Sequence, residues 1–123
     1  MSGIPLDGYA PAIAQLLRVM ANENRLLILS ALLPGEQNVN ELARNLGLRQ
    51  AALSQHLARL RHAGLVRASR RSRLIFYSVQ QPLLGQVIEM LIAVTKRTDS
   101  PLLHAMLDAA PAPQSPEENS DVH

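Results

Sequence analysis

The sequence predicts a mainly α domain with a two-stranded β-wing, in the order α-α-α-α-β-β-α plus a short C-terminal helix. Three observations carry that reading. Apolar residues recur at helical spacing along most of the chain. The spacing changes to alternation across residues 65–79. Just before that change, two helical stretches are separated by a short turn containing Gly47, the arrangement of a helix-turn-helix, and a hairpin after it makes a winged helix-turn-helix.

In chain order, Ile13, Leu16, Leu17 and Met20 mark an amphipathic first helix over Tyr9–Met20, with Pro11 tolerated in its first turn. Leu26, Leu27, Ile28, Leu29, Leu32 and Leu33 are apolar almost all round, as in a central buried helix stopped by Pro34-Gly35. Asn38 and Glu41 have capping-box spacing, so a short helix over residues 40–46 follows, ended by Gly47 in the left-handed region. Leu53, Leu57 and Leu60 define the next helix, Gln50–His62, with Gly64 just past its end. Strands are expected at Leu65–Ala68 and Leu74–Val79. Because neither Gly nor Asn marks the tip, Ser69–Arg73 should form a loop longer than two residues. From Pro82 a long helix carries Leu84, Val87, Ile88, Leu91, Ile92 and Thr95 along one side. Ser100-Pro101 then caps a last short helix, LLHAMLDAA. This gives a winged-helix domain over 8–98, a short C-terminal helix over 99–110, and a Pro- and acid-rich tail over 111–123 expected to be disordered.

At 123 residues the chain supports one domain with a core, but hardly two. One Phe, two Tyr and no Trp leave that core aliphatic. The sequence has no apolar run of about 18 residues and no basic-then-apolar start, so a cytoplasmic protein without a membrane partner is expected. The absence of cysteine excludes disulfides, thiolate metal sites and thiol chemistry in this chain.

Charge is unevenly placed. The net +2 conceals a span, Leu42 to Ile88, with eight arginines and no acid, the footprint of a surface that meets a polyanion such as double-stranded DNA. If Leu53, Leu57 and Leu60 face the core, the opposite side presents Gln50, Ala51, Ser54 and Gln55, with Arg59 one turn on. Gln pairs with adenine edges, Ser with several bases, and Ala touches a thymine methyl. Arg44, Arg49, Arg59 and Arg61 lie where phosphates would pass, whereas Arg70, Arg71 and Arg73 on the wing suit a narrow minor groove or its phosphates. His56 is open between a phosphate contact and a half-buried packing role. Arg49 stands at the start of the helix, where it cannot accept the N–H bonds that a cap accepts.

The pieces NENRLLIL, ALSQHLARLR and GLVR together resemble the winged helix of the ArsR/SmtB bacterial repressors, from roughly Ala12 to Thr95. The resemblance implies a homodimer on an imperfect inverted repeat, with the first and last long helices forming its interface. Ile13, Leu16, Leu17, Met20, Leu84, Val87, Ile88, Leu91, Ile92 and Thr95 are its expected residues. An aliphatic side on the post-wing helix agrees, since a monomer of this size leaves it little to cover.

The resemblance also locates where relatives sense. The cysteines of one metal-sensing branch fall at residues 40–44, here Asn-Glu-Leu-Ala-Arg, and the carboxylate and imidazole ligands of another at Gln81, Leu83, Val94 and Arg97. Neither set suits zinc. In the sulfide-sensing branch, closest by its ENRLLIL run, the cysteines fall at Ser30 and near Lys96, and a serine hydroxyl forms no persulfide. Ser30 is instead expected as a small buried residue bonding the preceding turn. His104 and Asp108 are spaced for a shared metal but are too few for a tight site, so no metal and no cofactor is expected. The expectation is a regulator, most simply a repressor, whose effector is unknown. Two alternatives stay open: a winged-helix protein-interaction module, and a repressor sensing an organic ligand lined by Leu17, Met20, Leu91 and Val94. No nucleophile elbow, Ser-His-Asp set or Gly-rich phosphate loop suggests an enzyme.

Overall fold

The computed structural model describes residues 3–109 and runs α1 (Ala10–Met20), α2 (Glu23–Leu32), β1 (Gln37–Asn38), α3 (Val39–Leu46), α4 (Gln50–His62), β2 (Val66–Arg71), β3 (Leu74–Val79), α5 (Leu84–Arg97) and α6 (Pro101–Ala109). The winged helix-turn-helix is present, with one addition. β1 pairs antiparallel with β3, Gln37 opposite Tyr77 and Asn38 opposite Phe76, so the wing belongs to a three-stranded sheet of order β1-β3-β2. The expected tail over 111–123 lies outside the described residues.

Local chemistry sets the helix ends. The Asn22 side chain accepts from the Arg25 N–H at 3.1 Å and starts α2. At α3 the capping box forms in both directions, Glu41 N–H to Asn38 Oδ1 at 2.9 Å and Asn38 N–H to Glu41 Oε1 at 3.3 Å. Gly47 closes α3 with φ of 66°, a conformation that any Cβ would strain. Ser100 Oγ accepts from the Leu103 N–H at 3.3 Å and starts α6.

The core is aliphatic: Ile28, Leu29 and Leu32 of α2, Leu42 of α3, Leu53, Leu57 and Leu60 of α4, and Leu65-Val66 leading into β2. It leaves three expectations in need of correction. Leu27 and Leu33 are 47% and 38% exposed, so α2 is buried on one side only, and Ser30 is exposed with it. Met20 and Leu84, expected at a subunit interface, are 2% and 3% exposed and belong to the chain's own core. Met20 is the last residue of α1 and Leu84 the first of α5, the points at which those helices join the core. The hairpin tip is also tighter than expected: β2 continues to Arg71, paired with Leu74, leaving only Ser72 and Arg73 as the loop. Ser72 supplies the positive φ, 59°, that a two-residue connection requires. A short polar residue tolerates this region without being Gly or Asn.

Candidate nucleic-acid interface

α4 is held rigidly from behind. Leu53, Leu57 and Leu60 are fully buried, which fixes the rotation of the helix and turns Gln50, Ala51, Ser54 and Gln55 out to solvent. The turn before it is closed by main-chain bonds, Gly47 N–H to Arg44 C=O at 3.3 Å and Leu48 N–H to Ala43 C=O at 3.0 Å. Arg49 occupies the N-cap without a side-chain cap bond, as its chemistry requires. Asn40 of α3, which pattern reasoning passed over, accepts a hydrogen bond from Gln50 Nε2. That contact orients the Gln50 side chain and leaves its carbonyl oxygen and second N–H for another partner.

The cations gather around this helix. Arg44, Arg49, Arg59 and Arg61 are exposed on α3 and α4, and Arg67, Arg70 and Arg73 on the wing. Arg71 is placed differently from its neighbours. Its guanidinium lies 3.8 Å from the centre of the Phe76 ring and pairs with Glu36, just before β1. It therefore ties β2 across β3 to β1. This is the only ion pair among the described residues, so Arg70 and Arg73 carry no carboxylate partner there.

Two further residues bear on the surface. Arg25 is only 9% exposed; its Nε donates to Val19 C=O and its Nη2 to Arg18 C=O at 3.4 Å. It thus satisfies carbonyls at the end of α1, where a helix has no partners of its own. The arginine in NENR was legible as part of a motif, but its packing against the preceding helix was not. His56 is half-buried, and burial, then the charges of Arg25 and Arg59, hold its imidazole below the ordinary value of 6.5.

Apolar residues left outside the core lie on α1, α5 and α6, where Leu102, Met106 and Leu107 are exposed. Ile13, Leu16 and Leu17 on α1, and Val87, Leu91 and Ile92 on α5, are exposed, while Ile88 and Thr95 are half-buried. His104 and Asp108 are both exposed on α6, and no group of three His, Asp or Glu suited to a metal occurs among the described residues. Nor is any helix among them long and apolar enough to cross a membrane.

Comparison with known proteins decides what this scaffold is. Residues 22–68 match the model described as bacterial regulatory protein, arsR family. The transcriptional activator HlyU of Vibrio cholerae is 47% identical over 76 residues, 62% of this chain and 70% of that protein. The chain belongs to the ArsR family. It is also similar to the biofilm growth-associated repressor of Agrobacterium fabrum, 39% identical over 89 residues, 72% of this chain and 76% of that protein. Among solved structures, the transcriptional repressor BigR from Xylella fastidiosa superposes with a TM-score of 0.69 at 30% identity, covering 81% of this chain and all of that one. The matched span contains α2, α3 and α4, the elements that carry the exposed polar residues and much of the cationic surface. As an ArsR-family chain it is a winged-helix transcriptional regulator, and its family is made of regulators, not enzymes.

Proposed function

We propose that this ArsR-family regulator acts as a homodimeric repressor on an inverted-repeat operator. The observation that carries the reading is the two-sidedness of α4: a fully buried leucine row behind, and Gln50, Ala51, Ser54 and Gln55 exposed in front. Such a helix enters a major groove with its N-terminal residues at base edges. Gln50, steadied by Asn40, pairs with adenine; Ser54 and Gln55 read neighbouring bases and Ala51 meets a thymine methyl. Arg44, Arg49 and Arg59 fix the register on phosphates, and Arg70 and Arg73 grip the backbone beside the wing. Arg71, engaged by Glu36 and Phe76, holds the wing in shape. His56 supports the helix from its half-buried side.

Dimerisation follows from the uncovered apolar residues of α1 and α5, which a second copy of the same chain would bury. Two of the three similar proteins above are described as repressors. The chain has no cysteine, so any switch acting on it uses neither a thiol of this chain nor, by its side chains at residues 40–44, 81, 83, 94 and 97, the metal ligands of its relatives.

Titration of a preferred duplex at several salt concentrations tests the division of labour. Arg70→Ala with Arg73→Ala should weaken binding to all duplexes and flatten the log–log salt dependence by about one unit for each phosphate no longer engaged. Gln50→Ala should instead reduce discrimination by about 1–3 kcal/mol at one base pair. Equal losses on every duplex from both variants would contradict it.

A further inference from the structure

The C-terminal half of α1 and the last turns of α4 enclose an open cleft of about 960 Å³, at the upper end of the range of small-molecule sites. Its polar lining is Gln15 and Arg18 from α1, Arg25 from α2, and Arg59, Arg61 and His62 from α4, four of the six being arginines, with Arg18 Nη1 donating to Gln15 Oε1 at 3.2 Å. No acid lines it, and none of these arginines pairs with a carboxylate among the described residues. Arg25 is fixed there by main-chain carbonyls alone, so its charge is held in place without being cancelled by an anion. Val19 and Ala58 supply an apolar wall. Gln50 and His62 stand at opposite ends of α4, roughly 18 Å apart at helical rise, so the cleft lies toward the end of α4 away from Gln50 and shares Arg59 with the surface proposed to face DNA.

We propose that this cleft binds a small organic anion bearing carboxylate or phosphate groups, gripped by Arg18 on one side and by Arg59 and Arg61 on the other. Its occupant touches both a helix with an uncovered apolar side and the helix that reads bases. Binding there neutralises cations that otherwise face DNA and is coupled to operator affinity by linkage. The same chemistry could also be met by a backbone phosphate of a bound duplex, and the experiment separates the two sources.

The probe is pyrophosphate, titrated calorimetrically into the full chain without DNA, with ionic strength held constant by sodium chloride. The expected result is saturable binding, weakened at least about tenfold in Arg18→Gln, as fits the loss of one charge-assisted grip. It should be abolished in Ala58→Glu, which sets a carboxylate among the arginines. Arg18→Gln should keep its affinity for DNA. Absence of saturable binding, or binding indifferent to both variants, would overturn the proposal. So would failure to bind pyrophosphate together with weaker DNA binding by Arg18→Gln, which would make the cleft a clamp for backbone phosphate. Because binding is measured without DNA, its failure is distinguishable from failure of the repressor reading.

Discussion

α4 and α5 are helices of nearly equal length, 13 and 14 residues, with apolar residues at similar spacing, yet they do opposite things with them. α4 seats Leu53, Leu57 and Leu60 at 0% exposure in the chain's own core, whereas α5 buries only Leu84 and leaves Leu91 and Ile92 at 40% and 51%. Periodicity states that a side will be covered; it does not state by what. On α4 the cover is α2 and α3 of the same chain, and the consequence is a fixed polar front. On α5 it is, in our reading, a second copy.

The largest effect separating the two helices should come from Leu57→Ala, which opens a cavity among fully buried neighbours. It should cost about 2–5 kcal/mol in denaturant unfolding, whereas Leu91→Ala should cost the isolated chain far less. Equal losses measured under monomeric conditions would erase the contrast. Next in size, Leu91→Glu with Ile92→Glu should weaken self-association by at least about thirtyfold in sedimentation equilibrium while leaving the helix content unchanged. A dimer that persisted would place the interface elsewhere. A smaller effect sharpens the positioning of α4 through its neighbour α3: Asn38→Ala removes one half of the capping box and should cost about 1 kcal/mol.

The smallest concerns His56. Its folded value is depressed while the unfolded chain titrates near 6.5, so between the two the unfolded state binds more protons. Stability is fully present above 6.5 and declines as pH falls toward the folded value. Melting temperatures across this window should fall less steeply in His56→Gln. An identical slope would mean that His56 is not held neutral by α4's surroundings.

Much of this contrast was legible in the sequence, and all the misses but one share a cause. The bounds of α4, the capping box at Asn38, the left-handed Gly47 and the Ser100 cap all depend on residues within a turn of one another. β1 has two residues and no period to detect. The Arg71–Glu36 pair joins residues 35 apart, and the Gln50–Asn40 contact and the Arg25 clasp cross between helices. Met20 and Leu84 fit the apolar stripes of α1 and α5 but sit where those helices enter the core, a matter of tertiary placement. The hairpin tip failed differently: Ser72 lacks the strongest turn signature but tolerates the conformation.

The measurement that tests the central claim most directly is selection of bound sites from randomised duplex DNA by the full chain, followed by the stoichiometry of the selected complex. The account predicts an enriched inverted repeat, its half-sites about one helical turn apart, bound by two chains. No enriched sequence, or a single half-site held by one chain, would contradict a dimer reading DNA through α4.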